Sequence, residues 1–259
     1  MNAMILAAGF GTRLLPLTRD LPKALVPLAG RPLLEITLRR LIAAGFDRIA
    51  VNSHHFAGLV RAWLAAHPMP GAEILLSEES EILGTGGGIA RMISLLGAEQ
   101  PVLVHNVDVL TALPLQELYA AHVRLEAAAT LAISERTTQR YLVFDDEARL
   151  CGRADASRQK LELVRPPAGA PHCFAFNGIQ VITPRLFADA PERSFSSIDR
   201  YLAAAAAAER VFGWRMDAWY WRDLGKPADL EAAAADMDKG RIRLDPAGDG
   251  APGSGGVTA

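Results

Sequence analysis

Short apolar runs that can form buried strands alternate with helix-forming segments through the first half of this chain. The strand candidates are residues 3–8, 47–52, 72–76, 101–106 and 128–134, and the helix candidates are residues 32–44, 56–66, 88–96 and 114–124. This alternation favours parallel βαβ units, in which helices cover both faces of one sheet. The sequence therefore predicts an α/β fold with a Rossmann-like, mostly parallel sheet flanked by helices.

The pattern changes in the second half of the chain. Residues 140–182 contain the β-rich pieces YLVFD, KLELV and CFAFNGIQVI, so we expect a small β-rich subregion added to the sheet. A serine-capped helix is predicted in SFSSIDRYLAAAAAAER, a last strand region in VFGWRMDAWYWRDLG, and a final helix that begins near Pro227. We expect a single domain over residues 1–243 and a disordered tail over residues 244–259, where glycine and proline leave little to bury.

Composition limits the class of protein. With 259 residues, half of them hydrophobic, the chain can bury a substantial core. A formal net charge of −2 gives no general basic surface, so nucleic acid is not an expected partner. No apolar run approaches the roughly 20 residues of a membrane span, and the chain enters its first strand without a signal peptide. We therefore expect a cytoplasmic protein with no membrane partner, in which Cys151 and Cys173 are free thiols.

A glycine-rich loop follows the first predicted strand, in the run LAAGFGTRLLPLTRDLPKAL. Gly9 and Gly11 let the backbone turn sharply and leave N–H groups free to face an anion. Arg13 adds a bidentate phosphate donor, and Lys23 adds a point charge that can reach the same anion once the loop folds back. The spacing matches neither GxxxxGK[ST] nor GxGxxG. It predicts a different kind of binding site for the phosphates of a nucleotide.

The full pattern LxxGxGTRLxPLTxxxPKxL resembles the signature of the sugar-1-phosphate nucleotidyltransferase family, and the resemblance runs from residue 3 to about residue 236. It implies a nucleotide-diphospho-sugar transferase fold and an enzyme that joins a nucleoside triphosphate to a sugar 1-phosphate, with release of pyrophosphate. The resemblance places nucleotide contacts on Leu6, Ala7, Ala8, Gly9, Gly11, Thr12, Arg13, Lys23 and Asn106.

Two aspartates occupy positions that resemble the metal-binding aspartates of the family. Asp108 follows the apolar run PVLVHNVD, and Asp223 follows WYWRD. Parallel sheets place ligands at the carboxyl ends of their strands, and hard carboxylate oxygens suit Mg²⁺. No Cys/His spacing suits zinc. We therefore expect Mg²⁺ to be held by both aspartates, although Val107 stands where the family commonly has glycine.

A second glycine run, SEESEILGTGGGIARMI, precedes a predicted helix. Such a loop lets the backbone pass close to a flat base or ribose. In the family the corresponding loop holds the nucleobase and ribose, and this version resembles in particular the enzymes that uridylylate N-acetylmuramic acid 1-phosphate. The resemblance implies nucleotide contacts at Glu79, Gly86, Gly87 and Gly88. The alternative is an ordinary loop before an amphipathic helix.

The sugar-binding positions are implied by a third segment. Asn177 and Gly178 in CFAFNGIQVI resemble the place where these enzymes contact the sugar, and an amide suits hydroxyl groups because it both donates and accepts. Many relatives carry E-K-P upstream, whose lysine holds the sugar phosphate. This chain has Val-Arg-Pro there, so Arg165 is the candidate cation, with a geometry different from that of lysine.

The predicted reaction is attack by an oxygen of the sugar 1-phosphate on the α-phosphorus of the nucleoside triphosphate, without a protein nucleophile. The expected catalytic residues are Arg13, Lys23, Asp108 and Asp223. UTP with N-acetylmuramic acid 1-phosphate is the favoured pair. The alternatives are a mannose-1-phosphate guanylyltransferase, a phosphocholine cytidylyltransferase, and a non-catalytic regulatory domain that binds a nucleotide sugar. The sequence leaves the oligomeric state open, and we expect no second, acetyltransferase domain of the kind found in longer relatives.

Overall fold

The computed structural model describes residues 1–97, 99–191 and 193–244. Except for Leu244, which is buried, the disordered tail predicted for residues 244–259 lies outside the described residues. Within the described ranges, no helix combines the length and the apolar composition that crossing a membrane requires.

The secondary structure follows the predicted alternation. The strands are β1 (Asn2–Leu6), β2 (Pro27–Leu28), β3 (Arg31–Pro32), β4 (Arg48–Ser53), β5 (Glu73–Glu78), β6 (Val102–Asn106), β7 (Val109–Thr111), β8 (Ala129–Ser134), β9 (Arg140–Phe144), β10 (Leu150–Asp155), β11 (Lys160–Leu163), β12 (His172–Ile182), β13 (Val211–Arg215) and β14 (Trp221–Asp223). The α-helices are α1 (Leu33–Ala43), α2 (Ala57–Ala66), α3 (Gly84–Leu96), α4 (Leu115–Arg124), α5 (Ser197–Ala206) and α6 (Pro227–Asp238). Short 3₁₀ turns cover Thr12–Leu14, Lys23–Leu25 and Pro184–Phe187.

The central sheet has the strand order β5-β4-β1-β6-β12-β8-β13. Strands β5, β4, β1 and β6 are parallel neighbours, and β13 runs parallel to β8. Strand β12 is antiparallel to both of its neighbours in this sheet, β6 and β8. The predicted α/β fold, with a mostly parallel sheet between helices, is confirmed.

The β-rich subregion predicted for residues 140–182 is also present. Strands β9, β10 and β11 form an antiparallel meander, and the first residues of β12 pair with β9. The long strand β12 therefore belongs to both the central sheet and the subregion. Its pairing with β8 shifts register between Phe176 and Gln180, at the point where Gly178 takes a φ of 76°.

The core lies on both faces of the sheet because side chains alternate along each buried strand. In β1, Ala3 and Ile5 pack on one face and Met4 packs on the other. Helices α1, α4 and α6 cover the first face, and α3 and α5 cover the second. Because β1, β4 and β6 are parallel neighbours, their carboxyl ends meet at one edge of the sheet.

Three boundaries differ from the sequence prediction. Strand β1 ends at Leu6 instead of residue 8, because the N–H of Ala7 donates to the Asn52 side chain at 2.7 Å instead of to the ladder. Helix α3 begins at Gly84 instead of residue 88, so the glycine run is helical. The last strand region is two strands in different sheets, since β13 joins the central sheet and β14 pairs with β7.

Candidate active site

A cleft of about 180 Å³ opens at the carboxyl ends of β1 and β6. Its floor comes from the loop after β1 and from the residues that follow β6, while the start of α3 forms the opposite side. The wall consists of Leu6, Ala7, Ala8, Gly9, Lys23, Asn52, Ile82, Gly84, Thr85, Asn106, Val107 and Asp108. The parallel strands therefore bring the predicted phosphate loop and the first predicted metal-binding aspartate to one cleft.

The loop between β1 and the first 3₁₀ turn owes its shape to Gly11. This residue has a φ of 67°, and a Cβ built on it would lie 2.9 Å from a methyl group of Thr18. The Thr18 hydroxyl donates to the Gly11 carbonyl at 2.9 Å and pins the turn. Thr12 and Arg13 follow in the 3₁₀ turn. A side chain at Gly11 would meet both strain and contact, which explains the glycine there.

A cluster of two cations and two carboxylates lies beside the cleft. Lys23 Nζ donates to Asp108 Oδ2, and both side chains are largely buried, at 12% and 13% exposure. Arg13 Nη2 lies 4.0 Å from Asp108 Oδ2 and 3.8 Å from Asp223 Oδ1, and its side chain is 56% exposed. The four predicted catalytic residues are therefore brought together, although they come from distant parts of the chain.

The short ladder between β7 and β14 fixes the two carboxylates relative to each other. Asp223 pairs with Val109, the residue after Asp108, and the N–H of Leu224 donates to the Asp108 carbonyl at 2.7 Å. The N–H of Gly225 donates to Asp223 Oδ1 at 2.6 Å. A Cβ built on Gly225 would lie 2.5 Å from Arg13 Nη2, so the guanidinium in this position packs directly against the glycine.

Strand β14 is in turn anchored to helix α6. The buried carboxylate of Asp236 accepts hydrogen bonds from the Tyr220 hydroxyl at 2.9 Å and from Arg222 Nη2 at 2.6 Å. The Arg222 hydrogen bond is the largest cause that holds the pKa of Asp236 below its ordinary value. Because Tyr220 and Arg222 flank Trp221, this network holds the strand that carries Asp223.

The donor set fits Mg²⁺. Two carboxylates offer hard oxygens, and Mg²⁺ is usually bound by one or two carboxylates together with substrate phosphates. Lys23 and Arg13 balance the charge of both carboxylates here, so a metal ion would replace these cations as their partner. No group of three or more His, Cys, Asp or Glu side chains with metal-binding geometry occurs among the described residues. Asp108 and Asp223 would thus need water or substrate oxygens to complete the ligand set of a metal.

Glu79 lies behind the cleft wall, buried at 4% exposure. Its Oε1 accepts from Asn52 Nδ2 at 2.7 Å, and its Oε2 accepts from the Leu83 N–H at 3.0 Å. Asn52 Oδ1 then accepts from the Ala7 N–H. Glu79 therefore orients the start of the phosphate loop through Asn52. The sequence analysis missed Asn52, although its place at the carboxyl end of a strand beside β1 is a usable signal.

The glycine run lies in the first turn of α3, and its members face different neighbours. A Cβ built on Gly86 would lie 2.2 Å from the Phe195 ring, and one on Gly87 would lie 2.2 Å from the Arg193 carbonyl. A Cβ on Gly88 would lie 2.8 Å from the Asn52 amide. The absence of side chains at Gly86 and Gly87 thus lets the segment before α5 pack directly against the first turn of α3. The residues of α3 that line the cleft are Gly84 and Thr85.

The predicted sugar-binding residues lie next to the cleft. A Cβ on Gly178 would lie 2.8 Å from Asn106 Nδ2, so the bend in β12 brings the two strands into close contact. Asn177 is buried, and its Nδ2 donates to the Ser134 hydroxyl at 2.8 Å. Its Oδ1 accepts from Arg136 Nε at 2.9 Å. Arg136 was not identified from the sequence.

Arg165 is directed into the β-rich subregion and does not reach the cleft wall. Its Nη2 lies 2.5 Å from Asp145 Oδ2, and its Nε donates to the Leu150 carbonyl at 2.9 Å. Burial raises the pKa of Asp145, but the hydrogen bonds from Arg165 and from backbone N–H groups outweigh burial and lower it. This geometry gives Arg165 an ion pair within the β-rich subregion, and its contact with the sugar phosphate stays a prediction.

A histidine and two tryptophans near the site belong to the core. His105 is buried in β6, its Nδ1 lies 2.8 Å from the Asn106 carbonyl oxygen, and desolvation lowers its pKa to about 4. Trp214 and Trp219 stack with ring centroids 5.0 Å apart against the core. Trp221 differs because its indole N–H donates to the Asn177 carbonyl at 2.9 Å. Val107, at the position of the family's glycine, is 3% exposed and lines the cleft.

A family model described as Nucleotidyl transferase matches residues 2–240 of this chain. The chain is 37% identical to the N-acetylmuramate alpha-1-phosphate uridylyltransferase of Caulobacter vibrioides over 245 residues, which cover 90% of this chain and 95% of that protein. It is 30% identical to the mannose-1-phosphate guanylyltransferase of Mycobacterium tuberculosis over 243 residues, 93% of this chain and 65% of that protein.

The fold is similar to that of solved structures at low sequence identity. UDP-glucose pyrophosphorylase in complex with UDP-glucose superposes with a TM-score of 0.74 at 18% identity. The match covers 93% of this chain and 99% of the other. At this identity the likeness concerns the arrangement of the sheet and helices.

Proposed function

The chain belongs to the nucleotidyl transferase family and is a sugar-1-phosphate nucleotidyltransferase, and from this premise we propose that it joins UTP to N-acetylmuramic acid 1-phosphate with Mg²⁺. The observation that carries the choice of substrates is the 37% identity over 95% of the length of a relative with this specificity in its name. The guanylyltransferase is a weaker match and is matched over only 65% of its own length.

The reaction forms one P–O bond and breaks another. An oxygen of the sugar 1-phosphate attacks the α-phosphorus of UTP, and pyrophosphate leaves on the opposite side. The attacking oxygen is already ionised near neutral pH, so the protein needs neither a nucleophile nor a general base. Its tasks are alignment of the two anions and neutralisation of the charge that they bring together.

The phosphate loop supplies the first part of this neutralisation. Ala8, Gly9 and Gly11 belong to a turn whose backbone can approach an anion, and Arg13 stands exposed beside it. We assign the β- and γ-phosphates to this region, so that Arg13 stabilises the leaving pyrophosphate. Its exposure is consistent with a side chain that closes on the substrate instead of one locked in the protein.

Lys23 and the aspartates supply the second part. In the free protein Lys23 is neutralised by Asp108, and Arg13 lies near both carboxylates. We propose that substrate binding exchanges these partners, so that Lys23 moves to an oxygen of the α-phosphate. Asp108 and Asp223 would then hold Mg²⁺. When bound, Mg²⁺ supplies charge neutralisation on phosphate oxygens that the two cations cannot provide alone.

The proposal is tested by pyrophosphate release. UTP, GTP, CTP, ATP and dTTP are each combined with N-acetylmuramic acid, glucose and mannose 1-phosphates and with phosphocholine, in the presence of Mg²⁺. We expect release with UTP and N-acetylmuramic acid 1-phosphate, and its loss on addition of EDTA. Preference for GTP and mannose 1-phosphate would instead support the guanylyltransferase as the second candidate, which the 30% identity favours. Turnover with no pair would contradict the proposal.

The Asp108→Asn variant tests the metal assignment. Removal of this charge should lower kcat by about 100- to 1,000-fold at saturating Mg²⁺, since electrostatic groups at the transition state contribute on that scale. Asp20→Asn, which changes an exposed aspartate outside the cleft wall, is the matched control and should leave kcat unchanged. Full activity of Asp108→Asn would refute its role.

A further inference from the structure

Arg136, in the loop after β8, is held beside the predicted sugar-binding residue. Its Nε donates to Asn177 Oδ1 at 2.9 Å, and its Nη2 donates to the Phe176 carbonyl at 2.8 Å. The guanidinium carbon lies 4.3 Å from the ring centroid of Trp221, which is a cation–π contact. Three neutral groups thus fix the plane and the position of this cation.

The charge of Arg136 has no carboxylate partner. Among the described residues, no Asp or Glu oxygen lies within ion-pair distance of its guanidinium, and Nη1 makes no hydrogen bond there. The half-buried Arg165 and Arg222, by contrast, each pair with an aspartate. A partly desolvated cation without a partner is costly to keep, and a bound anion would offset that cost.

The surroundings identify where this anion would lie. Burial lowers the pKa of Arg136, and the nearby charge of Asp223 acts in the opposite direction. The contacts of the guanidinium place it beside the Asn177 side chain and over the Trp221 ring. It shares Trp221 with Asn177 and Asp223, because the indole N–H bonds the Asn177 carbonyl and Trp221 precedes Asp223 by two residues in β14. Gly178, the residue after Asn177, packs against Asn106 of the cleft wall, so this group of side chains adjoins the cleft.

We propose that Arg136 binds an oxyanion of the acceptor sugar 1-phosphate, the role that the resemblance implies for Arg165, which is paired with Asp145 in this structure. The proposal rests on the proposed function, since it assumes a sugar phosphate as acceptor. A guanidinium whose fork is fixed at Nε and Nη2 still offers Nη1 and the remaining N–H of Nη2 to an oxyanion. The oxyanion is either the 1-phosphate or the lactyl carboxylate of N-acetylmuramic acid.

Steady-state kinetics of Arg136→Gln and Arg136→Lys test this assignment. We expect Arg136→Gln to raise KM for the acceptor about 10- to 100-fold, in keeping with the loss of charge-assisted hydrogen bonds, while KM for UTP stays within about twofold. Arg136→Lys should recover part of the loss because it keeps the charge. Arg140→Gln is the matched control, since Arg140 is exposed in the same segment and the change in net charge is the same. The melting temperatures of all variants are compared.

Two comparisons distinguish the sources of the oxyanion. If Arg136 binds the 1-phosphate, Arg136→Gln will weaken N-acetylmuramic acid and N-acetylglucosamine 1-phosphates by the same factor, and inorganic phosphate will lose potency as an inhibitor competitive with the acceptor. If it binds the lactyl carboxylate, only N-acetylmuramic acid 1-phosphate will be weakened, and inhibition by inorganic phosphate will be unchanged.

An unchanged KM for the acceptor, an equal rise in KM for UTP, or an equal effect of Arg140→Gln would overturn the assignment. Failure of the proposed function is a separate result, because it concerns turnover by the unaltered protein. If the unaltered protein turns over no pair, calorimetric titration of each sugar 1-phosphate into the unaltered and Arg136→Gln proteins still decides the role of Arg136. Equal affinity for both proteins would contradict it.

Discussion

His122, a buried histidine of α4 outside the cleft wall, should make the protein sensitive to mild acid. Its Nε2 lies 3.2 Å from Thr183 Oγ1, and its Nδ1 lies 3.1 Å from Thr130 Oγ1. The Thr183 hydroxyl donates its own proton to the Ala127 carbonyl, so it accepts from Nε2–H. Nδ1 then accepts from Thr130. This network satisfies the neutral imidazole and assigns its tautomer.

Desolvation lowers the pKa of His122 from 6.5 to about 4. Because the folded-state pKa is the lower one, the unfolded chain binds the proton first as pH falls. The stabilising contribution is complete above pH 6.5 and is lost as pH falls toward 4. Linkage gives a loss of about 2 kcal/mol at pH 5 and about 3 kcal/mol at pH 4. His105, with a pKa also near 4, should add a similar loss.

Urea unfolding at pH 8, 7, 6 and 5 measures this effect. Between pH 8 and pH 5 we expect the free energy of unfolding to fall by about 4 kcal/mol in the unaltered protein and by about 2 kcal/mol in His122→Gln. The absolute stability of the variant does not matter, because the change with pH is compared. His67→Gln, at an exposed histidine, is the control. An identical pH dependence in His122→Gln and the unaltered protein would refute the reasoning.

Two further predictions concern residues that the sequence assigned to substrates. Gly86→Ala should lower the free energy of unfolding by about 1–3 kcal/mol, because the new Cβ would lie 2.2 Å from the Phe195 ring. Gly58→Ala in α2 is the control and should not lower it, because a Cβ there meets open space. Thermal melting of both variants checks this prediction. Arg165→Gln should lower the free energy of unfolding by about 2–4 kcal/mol, because it leaves the buried Asp145 without its cation. KM for the acceptor should stay unchanged. A large rise in that KM without loss of stability would instead assign Arg165 to the sugar site.

The sequence predicted the central sheet well because strand and helix periodicity are local properties. It also predicted that Gly9, Lys23 and Asp108 would lie together, since residues that follow parallel strands meet at one edge of a sheet. The family assignment is confirmed by the match over residues 2–240 and by the relatives. These results depend on short segments whose neighbours the topology fixes.

The sequence could not show what distant segments pack against the motifs. The glycine run of α3 predicted a close approach, but the approaching group is the segment around Phe195, more than 100 positions away. Arg165 follows the β-rich piece where a cation was expected, but it forms an ion pair with Asp145. Arg136 has no motif of its own, and only the fold places it beside Asn177. Each of these outcomes was decided by tertiary contacts.

The β7–β14 ladder separates the placement of the two carboxylates from the choice of the acceptor sugar. Asp108 and Asp223 are tied together by this ladder, and the chain between them includes the β-rich subregion, Arg136 and Asn177. The segment between them, which contains three strands of the central sheet as well as the β-rich subregion, thus begins and ends at the predicted metal site. Exchange of residues 129–216 for the same segment of a relative should change the sugar that is used while the paired carboxylates stay in register.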